Sequence, residues 1–144
     1  MPPSKHHPHD KLFRTILADR EEAEGLFRAY LPETISHDLD WPTLTLVETS
    51  FVDEALYDTE SDVLYQIQQL STGAPFILYL LFEHQSVSDK WMRLRLYQYK
   101  GRIWAESFKW HTEQEWLPPI HALIFYQGES AWTHSVEFAD LFPE

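Results

Sequence analysis

A single α/β domain is the fold class that this 144-residue sequence predicts, and three observations predict it. The run from Phe76 to Phe82 is seven consecutive apolar or aromatic residues, the pattern of a strand whose sheet is covered on both faces. Stretches of helical period and stretches rich in β-branched residues follow one another in the order helix, three strands, helix, strand, with no internal repeat. A composition of 44% hydrophobic and 15% aromatic residues on a chain of this length supplies one real core and argues against disorder.

Residues 1 to 9 read as a flexible tail. The His6, His7 and His9 cluster invites a metal reading, but Pro8 and the missing apolar pattern favour an unstructured segment. From Asp10, a candidate N-cap, LFRTILADREEAEGLFRAYL predicts a helix that buries Leu12, Phe13, Ile16, Leu26, Phe27 and Leu31. Gly25 and the Asp19-Arg20 region are the places where it can break in two. Pro32 ends it, because proline cannot continue the helical hydrogen-bond ladder.

After a polar connection, TLTLVETSFVDEAL (Thr43 to Leu56) predicts the first strand and SDVLYQIQQL (Ser61 to Leu70) the second. Alternation in the second puts Val63, Tyr65 and Ile67 on one face and Asp62, Leu64, Gln66 and Gln68 on the other. STGAP is a turn of hairpin length, so the strand ending in Glu83 pairs antiparallel with the strand beginning at Asp62. That pairing brings Asp62 and Glu83 to the same end of the sheet. Ser86 to Asp89 cap a helix running to about Lys109, with Met92, Leu96, Tyr99 and Ile103 as its buried stripe and Arg95, Arg102 and Lys109 repeating every seven residues on another face. Pro118 and Pro119 introduce the last strand, Ile120 to Gly128.

The sequence contains no cysteine, which excludes disulfides, thiolate zinc sites and a cysteine nucleophile and suits a reducing compartment. No apolar h-region opens it and no window reaches a membrane span, so the expectation is a soluble, cytoplasmic protein without a membrane partner. A formal net charge of −12 argues against a large phosphate-binding surface. Six of the eleven basic residues, Lys90, Arg93, Arg95, Lys100, Arg102 and Lys109, nevertheless fall directly after the Glu83 strand. They make either a local basic face or a solvated helix side.

The apolar run PFILYLLFEHQS ends in a carboxylate, an imidazole and a carboxamide. A carboxylate at the mouth of a core strand costs several kcal/mol unless it is paired, protonated or cation-bound. Strand-end carboxylates are also common as solvated groups, and that is the plain alternative. Two carboxylates facing each other from adjacent strands repel, and a divalent cation relieves the repulsion. Glu83 and Gln85 are two apart and share a face of an extended segment, whereas His84 points away and offers that face only its backbone carbonyl. Asp62, Glu83 and the His84 carbonyl are therefore candidate ligands of Mg²⁺, with Mn²⁺ or Ca²⁺ as alternatives. Gln85 is the candidate to hold the attacking water or touch the scissile phosphate.

With Asp at the start of the second strand and Glu-x-Gln at the end of the third, this element order resembles the PD-(D/E)XK nuclease core. HDKLF, SDVLYQIQ, LLFEHQS, WMRLRLYQY and LPPIHALIFYQG followed by Trp132 resemble, more narrowly, the Rpn family of recombination-promoting nucleases, also known as YhgA-like transposases. The resemblance covers nearly all of the chain from Asp10 onward. It implies a central mixed sheet flanked by helices in an α-β-β-β-α-β core spanning residues 10 to 144, and a domain cut short at its C-terminal end. It also implies a metal-dependent DNA endonuclease that promotes recombination, with Asp62, Glu83 and Gln85 as catalytic residues.

Gln85 stands where the wider superfamily has lysine, leaving a base on the following helix, such as Arg95, to compensate. Glu22 on the first helix is a further candidate carboxylate. Arg95, Arg102 and Lys109 are candidate DNA contacts, while Tyr97, Tyr99 and Trp104, which could stack on bases, read as core. The expected partners are DNA and a second copy or a longer family member. The alternative function is a catalytically silent nuclease-fold module that binds DNA or a longer relative and regulates it. Transposase chemistry of the common kind uses three carboxylates on another strand order, which the Glu-x-Gln placement does not match.

Overall fold

A computed structural model describes residues 12, 15–47, 63–83, 90–110, 113, 115–126, 131, 133 and 137–143, with backbone alone at Phe82, Glu83 and Trp110. Its elements are α1 (Arg20–Tyr30), α2 (Glu33–Ser36), β1 (Leu39–Leu46), β2 (Val63–Gln69), β3 (Pro75–Glu83), α3 (Met92–Trp110), β4 (Ile120–Tyr126) and a 3₁₀ turn, Phe138–Leu141. Among the described residues the strands form one sheet in the order β1-β2-β3-β4. The first two pairings are antiparallel and the β3–β4 pairing is parallel, so the sheet is mixed. The protein is thus a mixed α/β fold with helices on both faces of the sheet.

Strand alternation divides the core in two. Val63, Tyr65 and Ile67 of β2 and Leu78 and Leu80 of β3 pack with Ala23, Phe27 and Leu31 of the α1 region. Leu64, Ile77, Tyr79 and Leu81 turn to the other face and pack with Met92 and Ile103 of α3. Both faces of β3 are covered, which is why its sequence is apolar without interruption. The expected α3 stripe is present: Met92 and Ile103 are fully buried, with Leu96 and Tyr99 packed against them.

Helix α1 starts where Asp19 caps it, its Oδ1 accepting from the amides of Glu21 and Glu22 at 3.0 and 3.2 Å. The break expected near Asp19 and Arg20 is present, whereas Gly25 lies inside the helix without interrupting it. Arg20 ties α1 to the sheet: Nη2 donates to the Trp41 carbonyl at 2.8 Å and Nε to that of Leu44 at 3.2 Å. Tyr65 donates to the Leu17 carbonyl at 2.6 Å and meets the edge of Phe27. Burial, reinforced by Asp19, pushes its hydroxyl up to about 12. Leu12 and Ile16, expected on the buried face, are 57% and 46% exposed. Leu17 and Ala23 take that place, because the cap at Asp19 resets the helical phase.

Strand β1 begins at Leu39, before the Thr43 that the sequence suggests, and contains Pro42. Proline is tolerated there because β1 is an edge strand, and the register slips between Asp40 and Thr45 around it. The β2–β3 turn closes through Gly73, whose φ of 69° a side chain would resist and whose amide donates to the Gln69 carbonyl at 2.8 Å. Residues 1 to 11, the C-terminal part of the predicted first strand, the Ser86–Asp89 cap and Gly128 lie outside the described residues.

Candidate functional site

Strand directions decide what can meet. Because β2 runs against β3, Val63, the first residue of β2, sits opposite Leu80, three positions short of the end of β3 at Glu83. Because β4 runs with β3, Glu83 lies beside Tyr126, the last residue of β4. Leaving β1, Val47 donates its amide to the Leu64 carbonyl at 2.9 Å. One end of the sheet therefore gathers the exit of β1, the start of β2 and the carboxyl ends of two parallel strands. Such carboxyl ends are where open α/β sheets commonly place their ligands.

Of the candidate metal and catalytic residues, Glu83 has its backbone at this end. Asp62, His84 and Gln85 lie outside the described residues, Asp62 immediately preceding Val63 in the chain. Glu22 is an exposed residue in the first turn of α1, the helix on the face opposite α3. Among the described residues no three His, Cys, Asp or Glu side chains cluster closely enough to hold a metal ion.

The basic residues of α3 have separate surroundings. Arg93 donates to the Glu137 carbonyl at 2.9 Å, tying the 3₁₀ turn to the helix, and Tyr97 stacks on Phe138 at 4.5 Å. Lys109 pairs with Glu106 at 2.9 Å. Arg102 is exposed, while Arg95 is half-buried, with Nη2 3.5 Å from Met92 Sδ. The expected stripe of Arg95, Arg102 and Lys109 is thus one held guanidinium and two surface cations. Trp104 is half-buried, its Nε1 donating to the Pro118 carbonyl at 2.7 Å, and Tyr99 packs in the core as expected; Tyr97 is 55% exposed.

A groove of about 940 Å³ lies at the opposite end of the sheet, against the β2–β3 turn. Gln66, Gln68, Trp116 and Pro118 help line it, and so do Glu113 and Glu115, whose charges repel phosphate. Two half-buried groups on neighbouring elements were given no individual role by the sequence. Burial lowers the Lys100 ammonium's pKa, and burial together with the Lys100 charge lowers that of the His121 imidazole. For His121 the available signal was one polar residue inside the apolar run IHALIFY.

Residues 7–144 match the family described as "Putative transposase, YhgA-like". The chain belongs to that family. Among its relatives, the recombination-promoting nuclease RpnC of Escherichia coli K12 is 35% identical over 123 residues, 85% of this chain and 40% of RpnC. The recombination-promoting nuclease RpnA of the same strain is 33% identical over 138 residues, 95% of this chain and 46% of RpnA. RpnE, also of that strain and named an inactive recombination-promoting nuclease-like protein, is 32% identical over 140 residues, 95% of this chain and 45% of RpnE. This YhgA-like chain spans about half the length of the curated relatives it matches. No solved structure matches it.

Proposed function

We propose that this YhgA-like chain carries the core of a divalent-metal-dependent DNA endonuclease of the PD-(D/E)XK type, whose cleavage promotes recombination. The observation that carries the reading is the junction of strand ends: β2 starts and β3 ends on one side of the sheet, with Glu83 beside the end of a parallel β4. Two relatives are named recombination-promoting nucleases, which supports DNA as the substrate. Leu64 and Leu81, near these strand ends, both face α3.

The donor set fits a hard cation: two carboxylates and a main-chain carbonyl are oxygen ligands of the kind Mg²⁺ takes. Asp62, Glu83 and the His84 carbonyl would hold Mg²⁺, with Mn²⁺ or Ca²⁺ able to occupy the same ligands, and a bound ion supplies Lewis-acid activation of water and phosphate. Gln85 orients the attacking water through its carboxamide, which both donates and accepts. The water oxygen loses a proton to solvent and bonds to phosphorus as one P–O ester bond breaks, and the leaving oxygen takes up a proton, giving a phosphate end and a hydroxyl end. Glu22, on the helix that covers the other face, stays outside this ligand set, and Arg102 and Lys109 contact the DNA backbone outside the reacting phosphate.

RpnE, similar over nearly the whole of this chain, is named inactive, and that favours a second reading: a silent module that binds DNA or a longer family member and regulates it. Cleavage of supercoiled plasmid separates the two. The purified chain is incubated with Mg²⁺, Mn²⁺ or Ca²⁺ beside Asp62→Ala and Glu83→Ala, each shown to be folded. Nicking by the wild type and by neither variant is the expected result. A folded wild type as inert as its variants ends the enzyme reading in favour of the regulatory one.

A further inference from the structure

The groove against the β2–β3 turn is walled by the segment that links α3 to β4, and that wall is held at two points. The Pro118 carbonyl accepts from Trp104 Nε1 at 2.7 Å, and the Pro119 carbonyl accepts from the Ile77 amide at 2.8 Å. Immediately before these anchors Trp116 is 82% exposed and Leu117 49%. An indole left in water beside an anchored backbone and an apolar neighbour marks a contact for another molecule.

The polar groups of the groove define the chemistry of that molecule. The carboxylates of Glu113 and Glu115 accept hydrogen bonds and do not donate, and no lysine, arginine or histidine is among the described residues lining the groove. The carboxamides of Gln66 and Gln68 are neutral and can do both. The backbone adds few donors. Pro75, Pro118 and Pro119 have none, the Gly73 amide is given to the Gln69 carbonyl at 2.8 Å, and the Ala74 amide is given to Thr72 Oγ1 at 3.1 Å.

The groove is therefore negative, rich in acceptors and faced by an exposed aromatic ring. That set rejects a phosphate and suits a flat cation with many donors. A guanidinium carries five N–H donors and no acceptor, and it stacks on indole. The volume, about 940 Å³, is that of a site for a ligand larger than one side chain, which leaves room for residues on either side of an arginine.

We propose that this groove binds an arginine-bearing segment of a partner protein, the guanidinium lying on Trp116 and bonded to the carboxylates of Glu113 and Glu115. The inference stands apart from the nuclease reading, since the groove and the strand-end junction lie at opposite ends of the sheet.

The test follows the anisotropy of a short fluorescein-labelled peptide of arginine, glycine and serine, titrated with the full chain. Salt is held at about 0.15 M, where a screening length of about 8 Å weakens general attraction to an acidic protein. Companion peptides carry lysine in place of arginine, or citrulline, which keeps the shape of arginine without its charge. Trp116→Ala should weaken binding of the arginine peptide about tenfold, and so should Glu113→Gln/Glu115→Gln. Glu21→Gln/Asp140→Asn removes the same number of exposed charges elsewhere and should stay within about twofold of the wild type. The lysine peptide should bind several-fold more weakly, and the citrulline peptide not measurably.

Equal weakening by the two charge pairs overturns the proposal, as does a folded Trp116→Ala that binds like the wild type. A lysine or citrulline peptide that binds like the arginine one overturns it, and so does a wild type that binds none of them. If Trp116→Ala does not fold, the comparison of the two charge pairs decides. Sedimentation addresses the remaining occupant: a wild-type dimer that Trp116→Ala dissolves gives the groove to a second copy and overturns the partner reading.

Discussion

His121 carries a pH dependence that its position predicts. Burial, then the nearby Lys100 charge, hold its imidazole below the ordinary value of 6.5. A base with a lowered folded-state pKa contributes its full stability above the unfolded value and loses it as pH falls below that value. The stability difference between wild type and His121→Gln, from urea midpoints, should therefore shift against the wild type as pH drops from about 7.5 to about 5.5. A difference constant over that range removes the assignment. At this scale the sequence was readable where chemistry was local. LLFEHQS announced a polar terminus on a core strand, and β3 does end at Glu83. The sequence named Arg95 among the bases of α3 but could not set it apart from its solvated neighbours, since burial along a basic run shows only once the helix is oriented by Trp104 and Pro118.

Among the elements, α1 is tied to β1 by core packing and by Arg20, whose two bonds reach the carbonyls of Trp41 and Leu44 in the irregular stretch of β1. Arg20→Met should lower stability by about 1–2 kcal/mol, because both carbonyls lose a charged donor. Glu24→Gln, which removes two surface ion pairs, to Arg20 at 3.9 Å and to Arg28 at 3.8 Å, should cost less, under about 1 kcal/mol. Equal urea midpoints for the two variants contradict this account. The same region shows why β1 was drawn too late from sequence: Leu39 to Trp41 alternates, but Pro42 argues against a strand there and only edge position admits it. β2, β3 and α3 were legible because their periodicities are strong and each buries a continuous stripe. The short α2 was missed because four residues after Pro32 carry no period.

The whole molecule is set by charge and by its margins. A net charge of −12 on 144 residues repels itself, and raising salt from about 0.01 to about 0.1 M shortens the screening length from roughly 30 to roughly 10 Å. The melting temperature should rise by about 4 °C, the equivalent of about 1 kcal/mol at this size. A fall with added salt refutes self-repulsion as a term in stability. The two margins of the sheet differ in kind. On β1 the proline and the slipped register disrupt the row of amides and carbonyls that a newcomer would need. Along Ile120–Tyr126, at the other margin of the described sheet, there is no proline, acid, lysine or arginine. Among the described residues the sheet is thus asymmetric at its margins: a strand added to it would meet a disrupted row of amides and carbonyls at β1 and a regular one at β4.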